Sequence, residues 1–163
     1  MWLLGTTEFT SEMIGEYVGF VYIITDLTNS KMYVGKKLFK SKRTLPPLKG
    51  KTRKRKVVKE SDWMSYYGSS EELMLLVEAN GAESFKREIL HLCHSRGEMS
   101  YMELFEQVKR NALLRDDYYN GICQVKIHRS HVKNINPDDL DFCDDRCAVE
   151  LSDSLPHAKK LKP

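Results

Sequence analysis

A chain of 163 residues with 41% apolar and 30% charged side chains has the length of one domain and globular proportions, which excludes a fibrous or wholly disordered chain. No apolar run approaches the roughly 20 residues that span a bilayer, so no membrane partner is expected. The start, Met1-Trp2-Leu3-Leu4-Gly5-Thr6, lacks the basic lead and apolar stretch of a secretory signal. The net charge of +3 is modest, but its distribution is not. From Lys36 to Lys59 there are twelve Lys or Arg and no acid, whereas from Pro137 to Asp153 seven acids face only Arg146. This asymmetry points to a polyanionic partner near the front and an acidic segment behind.

Residues 1–18 carry no strong pattern and are expected to form a lead-in arm. Gly19 to Thr25 is a continuous apolar, β-rich run, the signature of a buried strand. The turn cluster Asp26 to Lys31 separates it from Met32-Tyr33-Val34-Gly35, so the two runs predict a β-hairpin. The basic stretch follows, with an insert over residues 44–60. Pro46-Pro47 and Gly50 oppose a helix there, and a loop is expected. Ser69 with Glu72 fits a capping box opening a helix over Glu71–Asn80, and Gly81 stands where a C-terminal cap belongs.

Ser84 to Cys93 reads as a strand. Ser100 with Glu103 is a second capping-box match, leading a helix with Tyr101, Phe105, Val108 and Ala112 at helical spacing. Asp116 to Gly121 is a turn, Ile122 to Ile127 a candidate last strand, and residues 128–163 a peripheral tail. The expected fold class is α+β, a small mixed or antiparallel sheet flanked by helices, with a basic insert and an acidic C-terminal tail. The four cysteines, Cys93, Cys123, Cys143 and Cys147, show no dense spacing. Reduced thiols in an intracellular chain are therefore expected. His128-x-x-His131 and Cys143-x-x-x-Cys147 match no established zinc spacing, so a structural zinc is not expected.

The hairpin carries a resemblance. Phe20-Val21-Tyr22 and, eleven positions after its tyrosine, Tyr33-Val34-Gly35 resemble the paired motif of the GIY-YIG nuclease superfamily, with Phe and Val replacing Gly and Ile in the first half and Val replacing Ile in the second. The likeness covers roughly residues 19–123, within an expected nuclease domain of residues 19–127, and the interval from Ser69-Ser70 to Gly81 resembles phage endonucleases of the group. It implies a metal-dependent endonuclease that hydrolyses DNA phosphodiesters in a single displacement, in the cytoplasm of a host cell if phage-encoded. The implied catalytic set is Tyr22, Tyr33, Lys36, Arg43, Glu103 and Asn120, with Glu103 the ligand of Mg²⁺ (or Mn²⁺). A tryptophan that commonly follows the family glutamate by three is here Glu106.

The chemistry suits these residue types. Phosphodiester hydrolysis needs an activated water, charge stabilisation at phosphorus and help for the leaving oxygen. Mg²⁺ takes few protein ligands and keeps several waters, which one carboxylate satisfies; as the N3 residue of a capping box, Glu103 has a purely structural alternative. A nearby cation favours phenolate over phenol, so the resemblance implies that one tyrosine, Tyr33 being nearest Lys36, activates the water. Arg43 would grip phosphate oxygens. Asn120 would fix a ligand or backbone near Glu103, or merely form a turn with Gly121. Lys37, Lys40, Lys42, Lys51, Arg53, Lys54, Arg55 and Lys56 are candidate contacts to the DNA backbone. Trp63, Tyr66 and Tyr67 are candidate stacking surfaces for bases, with core packing as the competing role. A homodimer is compatible with one site cutting one strand. Few residues follow Ile127, which favours a nonspecific, structure-specific or restriction-like nuclease over a homing enzyme. The rival reading is a nucleic-acid-binding module on the same scaffold without cleavage.

Overall fold

A computed structural model describes residues 1–123, 125–136 and 140. The expected hairpin is its centre: β3 (Gly19–Asp26) and β4 (Met32–Leu38) pair antiparallel, with Tyr22 opposite Gly35 and Ile24 opposite Tyr33. The strand β7 (Phe85–Cys93) pairs antiparallel with the other edge of β3. Two short strands, β1 (Leu3–Leu4) and β2 (Thr7–Glu8), complete a five-stranded mixed sheet in the order β2-β1-β7-β3-β4, β1 running parallel to β7. Among the described residues, two α-helices, α1 (Glu71–Asn80) and α2 (Arg96–Lys109), and a separate two-stranded ribbon, β5 (Lys40–Leu45) with β6 (Arg55–Glu60), join the sheet in an α+β fold.

Strand alternation sorts β3 into two cores. Phe20, Tyr22 and Ile24 face Trp2, Phe9, Phe39, Trp63 and Leu73. Val21 and Ile23 face Met99, Met102 and Phe105 of α2. Both faces are covered, which is why β3 reads as an unbroken apolar run.

Five expectations are corrected here. Residues 1–18 are not a lead-in arm: β1 extends the sheet and Trp2, Phe9 and Ile14 are buried. Two-residue strands are too short to display a period. The basic insert is not simply a loop, because Lys40–Leu45 and Arg55–Glu60 pair residue for residue, leaving 46–54 as the connection. No strand forms among the described residues of 122–127. The backbone groups of Val34 on the β4 edge are instead taken by the side chain of Asn120. The helix expected from Ser100 begins earlier, at Arg96, with Ser95 as its N-cap accepting from Glu98 N at 3.0 Å. Its buried face is accordingly Met99, Met102, Phe105 and their neighbours, while Val108 is exposed. The α1 limits are as expected, but Ser70 rather than Ser69 caps it. The acidic stretch 137–153, Leu140 apart, lies outside the described residues, as do Cys143 and Cys147. Among the described residues no helix is long and apolar enough to cross a membrane.

The hairpin turn is locked by a buried carboxylate. Asp26 is fully buried and accepts from Thr28 N at 2.9 Å, Thr28 Oγ1 at 2.6 Å and Tyr119 Oη at 3.0 Å. Burial alone would push its carboxyl up. Hydrogen bonds from Thr28, Tyr119 and Asn29 outweigh that and hold it below its ordinary value of 3.8. A depressed folded value stabilises the fold above the unfolded value and is lost as pH falls through the folded one. Denaturant midpoints are therefore expected to drop on acidification below about pH 4. Asp26→Asn is expected to cost about 2–3 kcal/mol at neutral pH and to make that acid dependence shallower. An equally steep dependence in the variant would assign it to other carboxylates.

Candidate active site

Antiparallel register and one glycine build the site. Tyr22 stands opposite Gly35, and a Cβ at Gly35 would come within 2.7 Å of Tyr22 Cζ and 2.9 Å of Tyr33 Cε1. Only glycine lets both tyrosine rings pass over β4. Their ring centroids lie 6.3 Å apart. Tyr22 is 1% exposed, and burial, followed by the nearby Tyr33 and Tyr66 oxygens, pushes its phenol well above 10.0. Tyr33 is half-buried, and its hydroxyl shares a 3.0 Å hydrogen bond with Ser69 Oγ. Tyr66 packs edge-on against Tyr22, ring centroids 6.2 Å apart, and burial raises its phenol as well.

Glu103 enters from α2. Its Oε2 lies 2.7 Å from Lys36 Nζ, which also donates to Ser100 Oγ at 3.1 Å. Because the helix starts at Arg96, Ser100 and Glu103 lie inside it, three residues apart and on one face. Neither acts as a cap, and Glu103 is left to the cleft.

Asn120 serves the backbone. Its Oδ1 accepts from Val34 N at 2.9 Å and its Nδ2 donates to Val34 O at 2.7 Å. Gln107 Nε2 adds a longer bond to the same carbonyl, at 3.4 Å. The clamp holds β4 between Tyr33 and Gly35.

Tyr33, Lys36, Ser69, Glu103, Asn120 and Cys123 line one open cleft of about 740 Å³. The structure therefore brings together four of the six expected catalytic residues, with Tyr22 directly behind them. Arg43 lies on β5, opposite Val57. Ser69 and Ser100 were visible in the sequence only as helix caps; Ser69 lines the cleft and bonds Tyr33, and Ser100 accepts from the cleft residue Lys36.

The expected DNA contacts divide differently. Lys40, Lys42, Arg55 and Lys56 are exposed on the ribbon, and Lys51, Arg53 and Lys54 are exposed on its connection. Lys37 is tied into the fold: Nζ lies 2.7 Å from Asp62 Oδ1 and 3.4 Å from the Tyr66 ring centre. Trp63 offers no stacking face. It is fully buried, and its indole N–H donates to Glu60 Oε1 at 2.7 Å. Tyr66 and Tyr67 are half-buried, each ring having one face against a cation, Lys37 and Arg87 respectively. These aromatics belong to the support of the sheet.

Among the described residues no group of three or more His, Cys, Asp or Glu converges on a point. His128 Nδ1 accepts from Ser130 N and His131 Nδ1 accepts from His128 N, so these imidazoles cap a short 3₁₀ turn. Burial pushes the Cys93 thiol up to about 12, far from the range of a reactive thiolate.

A tyrosine hairpin facing one helix-borne glutamate across an open cleft, on a mixed five-stranded sheet, defines a GIY-YIG domain. Residues 2–123 match the family model described as "Putative endonuclease segE, GIY-YIG domain". The chain thus belongs to the GIY-YIG family of endonuclease domains. No curated protein and no solved structure matches it. Nucleases of this family are generally dependent on a divalent metal.

Proposed function

We propose that the chain is a metal-dependent endonuclease acting on DNA phosphodiester bonds. The observation that carries this reading is the convergence of Tyr33, Lys36 and Glu103 on one cleft. Glu103 would hold Mg²⁺ (or Mn²⁺): it is a hard oxygen donor beside open space, which suits an ion that keeps water and takes phosphate oxygens. When bound, the ion neutralises charge developing on the phosphate and its leaving oxygen.

The other steps fall to the chain's own groups. Tyr33, half-buried on the cleft, would take the proton of the attacking water as its phenolate and become the phenol, with Ser69 orienting its oxygen through their shared hydrogen bond. Tyr22 is kept a neutral phenol by burial and positions Tyr66 rather than acting as the base. Lys36, a cation on the cleft beside Glu103, would contact the substrate phosphate. Arg43 contacts the scissile phosphate. Asn120 holds the strand that carries Tyr33 in place.

Supercoiled plasmid tests the reading. The purified chain with Mg²⁺ is expected to nick or linearise it, and EDTA to abolish this. Arg43→Ala should slow cleavage by about a hundredfold, the scale of one lost charge contact in a transition state. An intact plasmid that is nonetheless shifted on a gel would leave a DNA-binding module.

A further inference from the structure

The ribbon β5–β6 has a property that a phosphate-binding surface does not need. Among the described residues its strands pair only with each other. Residues opposite one another in an antiparallel pair share a face. One face therefore carries Lys40, Lys42 and Lys56, all exposed, and the other carries exposed Arg55 and Lys59. A cationic element that lies flat on a duplex needs charge on one side only. Cations on both sides fit an element with phosphates on both sides.

The single acid of the ribbon sits at its root. Glu60 Oε1 accepts from Trp63 Nε1 at 2.7 Å and Ser11 Oγ at 3.2 Å. Phe39, between β4 and β5, is fully buried against Phe9, Phe20 and Trp63. Ser61 closes the root, its N–H donating to Phe39 O at 2.8 Å. The root is anchored in the core, the ribbon is the continuation of the strand bearing Tyr33 and Lys36, and at its far end Leu48 stands 49% exposed among Lys49, Lys51 and Arg53.

We propose that this ribbon enters the major groove of B-form duplex DNA, its two faces holding the phosphates of the two groove walls. The idea rests on the nuclease reading for its substrate and adds how that substrate is gripped. Paired strands lie about 4.8 Å apart, and with side chains the ribbon is of the order of the roughly 12 Å major groove and too wide for the roughly 6 Å minor groove. The major groove of A-form RNA is too narrow to admit it. Leu48 is placed to meet base edges such as thymine methyls.

Binding by the full chain to a 30-base-pair duplex, followed by fluorescence anisotropy in EDTA across a salt series, tests this. Lys40→Ser/Lys42→Ser/Lys56→Ser removes one face, and Arg55→Ser/Lys59→Ser the other. Each set should reduce the slope of log affinity against log salt by roughly 0.9 per cation, that is by about 2.7 and about 1.8. A slope that changes for one set alone means a ribbon lying flat and overturns the proposal. The unmodified chain supplies a check independent of the variants' folding. It should bind an RNA duplex of the same sequence at least tenfold more weakly, and should lose affinity when a third strand fills the DNA major groove. Equal binding to RNA, or indifference to the third strand, overturns the proposal. Plasmid cleavage with unaltered slopes would sink the groove mode and leave the nuclease. Slopes lost in both variants without cleavage would sink the nuclease and leave the groove mode.

Discussion

Glu103→Gln is expected to abolish cleavage, with a loss of about a thousandfold or more. The substitution keeps the size of the side chain and removes its charge. A bound cation stabilises the transition state by several kcal/mol, and each 1.36 kcal/mol is about tenfold in rate. Stability should change little, because the Lys36–Glu103 pair is part-exposed and such pairs contribute about 1 kcal/mol or less. Metal binding gives a separate readout. Lys36 Nζ lies 2.7 Å from the Glu103 carboxylate, so the ammonium and a cation would compete for that charge. Titration of free Mn²⁺ by paramagnetic resonance should show weaker binding in Glu103→Gln and tighter binding in Lys36→Met. Unchanged Mn²⁺ binding in both would place the metal elsewhere. Cleavage that survives in Glu103→Gln would remove Glu103 from the site.

Trp2→Ala is expected to destabilise the protein by about 3–5 kcal/mol, the usual cost of removing a buried Trp side chain. Trp2 is 2% exposed and meets Phe20 and Tyr22 edge-on at 5.0 and 5.1 Å. The guanidinium of Arg87 lies 4.8 Å over its ring, and its indole N–H donates to Trp63 O at 2.7 Å. Against a total stability of about 5–15 kcal/mol, the melting temperature should fall by about 10 °C or more. The change also removes the neighbour on which the Tyr22 ring rests, so activity should fall at temperatures where the variant is still folded. A melting temperature within a degree or two of the parent would mean that the first strand is dispensable.

The two expectations rest on features of different legibility. Glu103 stood out in the sequence because a resemblance marked it, yet a local signal argued against it. Ser100-x-x-Glu103 is a sound capping-box pattern, and pattern alone does not say where a helix starts. The actual start, Ser95 with Glu98, is just as good locally, with Ser95 Oγ accepting from Glu98 N and Glu98 Oε2 from His94 N. Lys36, delivered by a strand 64 residues away from Ser100, makes use of the inner pair. Trp2 carried no signal, because strands of two residues have no period and their pairing partner lies at Glu88 and Ile89.

The basic segment shows the same division. Pro46, Pro47 and Gly50 rightly excluded a helix. Pairing of the flanks could not be read from residues rich in lysine, which strands disfavour. It follows from cross-strand register and from a root fixed by Phe39 and Glu60. The expected closing strand failed for a comparable reason: Asn120, a turn residue by its local context, places its amide on Val34 and occupies that part of the edge.

By itself the sequence determined the central hairpin, the bounds of α1, the strand β7 and the spacing of Tyr22, Tyr33 and Lys36. Each is set within a short window by alternation, turn chemistry or caps. The tertiary structure decided that Ser69 meets Tyr33 and Ser100 meets Lys36, that Glu103 is released from capping to meet Lys36, that Trp63 and Lys37 belong to the framework, and that the cations of the insert divide between two faces. Those outcomes depend on which distant backbone groups and side chains remain to be satisfied once the strands have paired, and no local pattern encodes that.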